Sequence, residues 1–180
     1  MGYSAIMSHE TTELRFARME NADFVEANLS GRSFYAAYLI RANFTKATLY
    51  RANFYCATLS EANFTAADLR LANLPNTLLI AANCTGANFE GANLHRANLY
   101  KTCFESANLE DSNLEESNLR YANLCGANLR DATIRGANLQ GADLFLANLD
   151  FADLEGALRW ESDAPIPGWK LVNGRLTRET

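Results

Sequence analysis

Two histidines and four cysteines are the side chains of this sequence best suited to nucleophilic or metal chemistry. His9 and His95 each stand without a carboxylate or thiol at the spacing that catalysis or metal ligation uses. Cys56, Cys84, Cys103 and Cys125 show no metal-ligand spacing, and a disulfide framework is not expected of them. Neither a Gly-x-x-x-x-Gly-Lys-Ser/Thr phosphate loop nor a Gly-x-Ser-x-Gly elbow occurs. Acidic residues are plentiful, but they recur at the turns of a repeat rather than as a buried acid pair. Catalysis, a bound metal and a cofactor are therefore not expected. What is left is recognition by the shape and charge of a surface.

That surface is positioned by a five-residue phrase running without insertion from Thr12 to Gly156. From Leu14 to Leu154 every fifth residue is Leu, Phe, Met or Ile, with Cys84 the exception: 28 of 29 positions. Two residues before this large centre, 23 of the 29 are Ala; directly before it, 16 are Asn and 4 are Asp. On an α-helix five residues advance roughly 500°, so successive centres would scatter around the axis. On a straight strand an odd step puts alternate centres on opposite faces. One interior holds every centre only if the chain turns once per pentad. Centre and Ala then face inward, and Asn and Asp are expected at the corners, where their side chains bond nearby backbone.

These phrases, seen at Ala42-Asn43-Phe44, Ala52-Asn53-Phe54, Ala62-Asn63-Phe64, Ala137-Asn138-Leu139 and Ala147-Asn148-Leu149, closely resemble the pentapeptide-repeat family over about four-fifths of the chain. The resemblance implies an all-β fold: a right-handed quadrilateral parallel β-helix of about seven coils, four pentads per coil, with terminal caps. At roughly 4.8 Å per stacked strand the rod would be about 35 Å long. Residues 1–11 are expected to be an N-terminal cap or frayed segment, 12–156 the solenoid, and 157–180 a C-terminal cap.

A net charge of −5 argues against direct binding of nucleic acid. No apolar run is long enough to span a membrane, and no basic segment followed by an apolar core marks the N-terminus. A cytoplasmic protein is expected.

Four pentads per coil assign the residues to four faces, counted from the centres Leu14, Met19, Phe24 and Leu29. On the second face Tyr38 and Leu78 precede centres, while Ile40, Ile80 and Tyr100 follow them. Tyr35 and Tyr55 lie in register on the adjoining first face. Together they are expected to form an outward aromatic and aliphatic contact surface, unless Pro75-Asn76-Thr77 bends the coil and tucks Leu78 away. On the fourth face Arg70, Glu90, Glu110, Arg130 and Asp150 read as a mostly alternating charge ladder, and Arg41 is expected to pair with Glu61. Arg32 occupies an inward Ala position and is expected to reach out towards the N-terminal end. Cys84, the smallest centre, precedes Phe89, and the two are expected to compensate in volume.

Glu105, Glu110, Asp111, Glu115 and Glu116 form an acidic cluster with Glu90 one coil below. Phe145, Leu146 and Phe151 face outward on the last full coil. The tail beyond Gly156 carries Trp160, Ile166, Trp169, Leu171, Val172 and Leu176, with a hairpin signal at Asn173-Gly174. It is expected to fold over Phe145, Leu146 and Phe151 as a cap, with self-association of the rod end as the alternative.

The function expected is a non-catalytic scaffold, a rigid rod that binds an unidentified protein through its Tyr/aliphatic wall. The chain is expected to be a monomer, or a homodimer joined through a rod end, without membrane contact. The family resemblance implies an alternative, a DNA mimic that binds DNA gyrase and uses the acidic cluster in place of phosphates. A purely structural spacer is a third reading.

Overall fold

The computed structural model describes residues 14–179; the expected N-terminal segment, residues 1–11, lies outside the described residues. From Arg18 to Asn138, each residue directly before a centre forms a parallel bridge with its counterpart twenty residues on, as in the column Tyr38, Thr58, Leu78, Asn98. Four pentads thus close one coil. The Leu39 N–H donates to Thr58 O one coil ahead (2.8 Å), and the Thr58 N–H returns a bond to Ala37 O (2.9 Å). The chain turns where an Ala N–H donates to the preceding centre, as Ala42 to Leu39 O (3.0 Å).

Every corner is left-handed. At the residue before the inward Ala, φ lies between 51° and 60° in all 22 non-glycine cases from Phe16 to Phe151. Such backbone costs an L-residue roughly 1–2 kcal/mol and persists only where its surroundings over-determine it. Asn and Asp are not in general the corner residues. Directly before the centre, they sit in the bridge instead. Asn53 Oδ1 accepts both the Tyr55 N–H two residues on (3.1 Å) and Asn73 Nδ2–H from one coil ahead (3.0 Å). One side chain thus ties its own turn and the neighbouring coil.

The centres and alanines fill a continuous core from Met19 to Leu139. Phe24, Phe44 and Phe64 stack up the third face at 4.9 Å per step, and Phe34 stacks on Phe54 at 4.7 Å from the opposite face. Rings from the two faces meet edge-on, Phe34 against Phe44 at 6.0 Å and 85°. Both parallel and edge-on pairs are favourable aromatic geometries. Where Thr or Ser replaces the inward Ala, the hydroxyl usually donates to a buried carbonyl, as Thr77 to Leu74 O (2.7 Å) and Ser112 to Leu109 O (2.7 Å). Arg32 is half-buried.

The expected charge ladder does not form as ion pairs. Arg70 turns to Asp68 in its own pentad (2.8 Å) and Arg130 to its neighbour Asp131 (3.2 Å). No ion pair joins Arg41 to Glu61 among the described residues. A carboxylate in the same pentad is reached with less side-chain ordering than one in the next coil. Cross-coil pairs occur in other columns, Lys46 with Glu26 (3.3 Å) and Arg96 with Glu116 (2.6 Å).

The coil register continues to Leu158, which bridges Asn138, and Arg159 occupies the next inward position. Strand β1 (Trp169–Val172) and strand β2 (Arg175–Arg178) form an antiparallel hairpin. Its turn residues Asn173 and Gly174 both have positive φ, as a two-residue type I′ turn requires. Strand β2 extends the rod: Leu176 N–H donates to Ala157 O and Gly156 N–H to Leu176 O, both at 2.8 Å. Ile166 and Leu176 are buried by this docking.

The tail does not cover Phe145, Leu146 or Phe151, which are 66%, 76% and 72% exposed. The cause is topological. The tail leaves the array at Arg159 on the second face, and β2 pairs with 156–158, where the first face runs into the second. The edges of the third and fourth faces receive no strand.

Cys84 sits in the third-face column between Phe64 and Phe104, and Phe89 meets Phe104 edge-on at 5.6 Å. Cys84→Phe should therefore overpack a closed column, at about 1–3 kcal/mol. The expected outcome in thermal circular dichroism is a melting temperature several degrees lower; an unchanged value would refute the volume pairing.

Candidate functional site

The second face is built as a wall by the twenty-residue register. Tyr38 and Leu78 are each 41% exposed, so the Pro75–Thr77 pentad does not tuck Leu78 inward. The coil there is regular: Asn76 has the same φ of 56° as other corners, and Leu74 and Thr77 are buried. Ile40, Ile80 and Tyr100 are half-buried along the same face. Around the corner Tyr35 stacks on Tyr55 with 5.6 Å between centroids and 3° between planes. The Arg15 guanidinium lies 5.0 Å from the Tyr35 ring and that of Arg18 lies 4.8 Å from Tyr38. All seven residues expected in the contact surface thus lie on two adjoining faces.

The wall extends further than expected. Tyr100 meets Tyr121 edge-on (5.7 Å, 89°), and Tyr121 meets Trp160 (5.5 Å, 66°). The Arg120 guanidinium lies 5.6 Å from the Tyr121 ring and 6.0 Å from Trp160. Trp160, expected within the cap, instead ends this side wall, whereas Trp169 packs against the core from the hairpin. The missed signal was arithmetic: Trp160 continues the column Ile40, Ser60, Ile80, Tyr100, Arg120, Gln140. Gly141 makes room for it, because a Cβ there would lie 2.9 Å from both Trp160 Cζ3 and Tyr121 Cδ1.

The acidic residues are dispersed around one coil. Glu105 follows a third-face centre, Glu110 and Asp111 a fourth-face centre, Glu115 and Glu116 a first-face centre. Arg96 holds the Glu116 carboxyl below its usual range through a hydrogen bond and its charge. Glu110 accepts from Asn128 Nδ2 (3.0 Å), with Glu90 one coil below it in the same column. His95 does have a carboxylate near it: Glu115 Oε2 is 3.8 Å from Nδ1, one coil on. Cys84 is fully buried, which pushes its thiol far above the ordinary range. Among the described residues no cluster of three or more His, Cys, Asp or Glu side chains could hold a metal ion.

Eight copies of the pentapeptide repeat are matched by the family model, over residues 33–70, 72–111, 107–145 and 127–158. The chain belongs to the pentapeptide-repeat family. Among solved members, this pentapeptide-repeat protein is similar to HetL of Nostoc sp. strain PCC 7120, described as involved in heterocyst differentiation regulation. The identity is 32% over 84% of this chain and 76% of HetL, with a TM-score of 0.43. It shares its fold with QnrB1, a plasmid-mediated fluoroquinolone resistance protein, at 22% identity over 81% of this chain and 70% of QnrB1, with a TM-score of 0.61. A pentapeptide-repeat protein of the Arabidopsis thaliana thylakoid lumen matches at 24% identity over 79% of this chain and 70% of that one, with a TM-score of 0.37. No curated protein matches the chain.

The Gly141 contact separates packing from backbone strain. Gly136 has a similar positive φ, but a Cβ there meets nothing closer than Glu116 Cγ at 3.8 Å. Gly136→Ala should cost about 1–2 kcal/mol, the strain of left-handed backbone alone. Gly141→Ala should cost more and move the tryptophan emission as Trp160 is displaced. Matching stabilities and spectra for the two variants would remove Gly141 from this role.

Proposed function

We propose that this protein is a non-catalytic interaction scaffold, a rod of about seven right-handed coils that binds a partner protein through its second-face wall. The observation that carries this reading is the continuity of the wall. Tyr35, Tyr38, Ile40, Tyr55, Leu78, Ile80 and Tyr100 share two adjoining faces, and ring-to-ring contacts extend them through Tyr121 to Trp160. Rigid aromatic side chains give large contact area at small entropy cost. The coil backbone fixes their spacing before a partner arrives, which lowers the cost of association. The rod would act as a single chain, or as a pair joined at a rod end.

Mimicry of a DNA duplex towards gyrase is the second reading. The fold shared with QnrB1 makes it worth testing, while fold alone does not fix function. The acidic belt of Glu105, Glu110, Asp111, Glu115 and Glu116 runs around three faces, and Arg96 neutralises Glu116. That arrangement offers no single strip of negative charge.

Replacing Tyr38, Ile40 and Ile80 together by Ser should abolish capture of the partner from native-host extract while the melting temperature holds within a few degrees. Undiminished capture by that variant would exclude the wall. A gyrase supercoiling assay with purified protein, with and without quinolone, should show no effect at micromolar concentration; inhibition or protection would favour mimicry instead.

A further inference from the structure

The final coil is closed where β2 docks on 156–158 and open before that, along the third and fourth faces and into the first. One coil earlier, Leu124, Gly126, Leu129, Asp131 and Ile134 each donate a backbone N–H to the coil ahead. Their counterparts Leu144, Leu146, Leu149, Phe151 and Leu154 have no ladder acceptor among the described residues, and the carbonyls of Ala142, Ala147 and Ala152 receive no ladder donor. Five donors against three acceptors make this a donor-rich β edge. Phe145, Leu146 and Phe151 stand exposed along it, and the centres Leu144 and Leu149 are only half-buried.

The edge is also one wall of a slot. The segment 162–167 runs beside it, and the two border a half-open space of about 460 Å³ over Leu144 and Leu149. Arg159 lines this slot while being only 5% exposed. Its Nη2 donates to Ala164 O (3.2 Å), its Nε lies 3.7 Å from Asp163 Oδ2, and its Nη1 is buried with no partner. Asp163 is occupied elsewhere, since its Oδ2 accepts the N–H groups of Gly141 (3.2 Å) and Trp160 (2.9 Å). Asp143, the other carboxylate of the slot, accepts the Phe145 N–H (2.9 Å). Ser162 completes the polar lining.

We propose that this slot takes the carboxy-terminal end of an extended apolar peptide from another protein, its main chain added to the coil edge and its terminal carboxylate set against Arg159. Strand addition to an open edge supplies the missing main-chain partners, and alternate side chains give selectivity. An apolar side chain pointing inward would cover Leu144 and Leu149 as the next coil covers earlier centres. The carboxylate would meet the unpartnered Nη1 and a donor-rich edge, both of which favour an anion. Burial lowers the Arg159 pKa more than Asp163 restores it, so its charge is under-compensated in the free protein. The segment 162–167 keeps a second rod end from lying flush on the edge, which favours a single chain as occupant. This site opens at the rod end over Leu144 and Leu149, whereas the second-face wall runs along the rod's side; the two meet where Gly141 and Asp163 touch Trp160.

The test uses the full chain and the peptide acetyl-Ala-Asn-Leu-Ala-Asn-Leu as free acid and as C-terminal amide, followed by calorimetry. The acid should bind about tenfold or more tightly than the amide, the scale of a charge-assisted hydrogen bond to a desolvated cation. Arg159→Leu restores the repeat's own centre residue, so it should keep the melting temperature and lower acid binding to the amide level. Equal affinity of acid and amide would overturn the proposal. So would undiminished acid binding by a folded Arg159→Leu, or no acid binding at millimolar concentration. Concentration-dependent self-association of the wild-type chain that the acid peptide does not reverse would also overturn it, assigning the edge to a second copy. If Arg159→Leu fails to fold, the acid–amide comparison on the wild-type chain decides alone.

Discussion

The left-handed corner is the constraint on which the rest of the structure depends. A chain that turned any other way between centres could not return each fifth residue to one interior. Among the described corners, 22 residues with a Cβ adopt this backbone, against seven glycines from Gly31 to Gly156. No local preference explains Arg51, Glu61 or Tyr121 there. What holds them is the coil on either side, through main-chain bonds at 2.6–3.1 Å and an unbroken run of buried centres from Leu29 to Leu139. Order is therefore a property of the stack: a lone coil would carry the corner strain without the neighbours that offset it.

This separates interior from exterior more sharply than in a globular domain. The centre and Ala positions are spoken for, and pre-centre Asn is tied into its turn and column. The residues after the centre and at the corner are free to carry recognition. That freedom is visible in the second-face wall, where aromatic residues sit at outward positions of an otherwise unchanged backbone. It is limited where a corner meets a large neighbour. Gly141, beneath the rings of Trp160 and Tyr121, owes its identity to contact as well as to φ, whereas a Cβ at Gly91 would meet only the movable end of exposed Leu71 (2.7 Å).

The period made most of the fold legible. Counting in twenties assigns each of Tyr35, Tyr38, Ile40, Tyr55, Leu78, Ile80 and Tyr100 to its column, because the backbone is the same in every pentad. Two things were not legible. Arg70 chose Asp68 over Glu90, a choice between rotamers that column order does not contain. The path of the tail was hidden because residues 161–179 have no period, and a hairpin signal says that two strands pair without saying which edge they extend. Phe145, Leu146 and Phe151 were therefore assigned a cover that β2 gives to another side of the rod. Trp160 was misread for the opposite reason: the period outlasted the repeat's consensus by one pentad.

The ladder has a direction as well as a register. In each pentad the centre and the corner send their N–H groups towards the C-terminal end, as Leu39 and Arg41 do, while the residue before the centre sends one back, as Thr58 does. The imbalance repeats with every pentad, so the peptide dipoles add along the axis instead of cancelling. The main-chain ladder is therefore polar end to end, with its positive pole at the C-terminal end, the reverse of an α-helix. At the exposed C-terminal edge this contribution favours an anion over a cation in direct contact with the unpaired N–H groups.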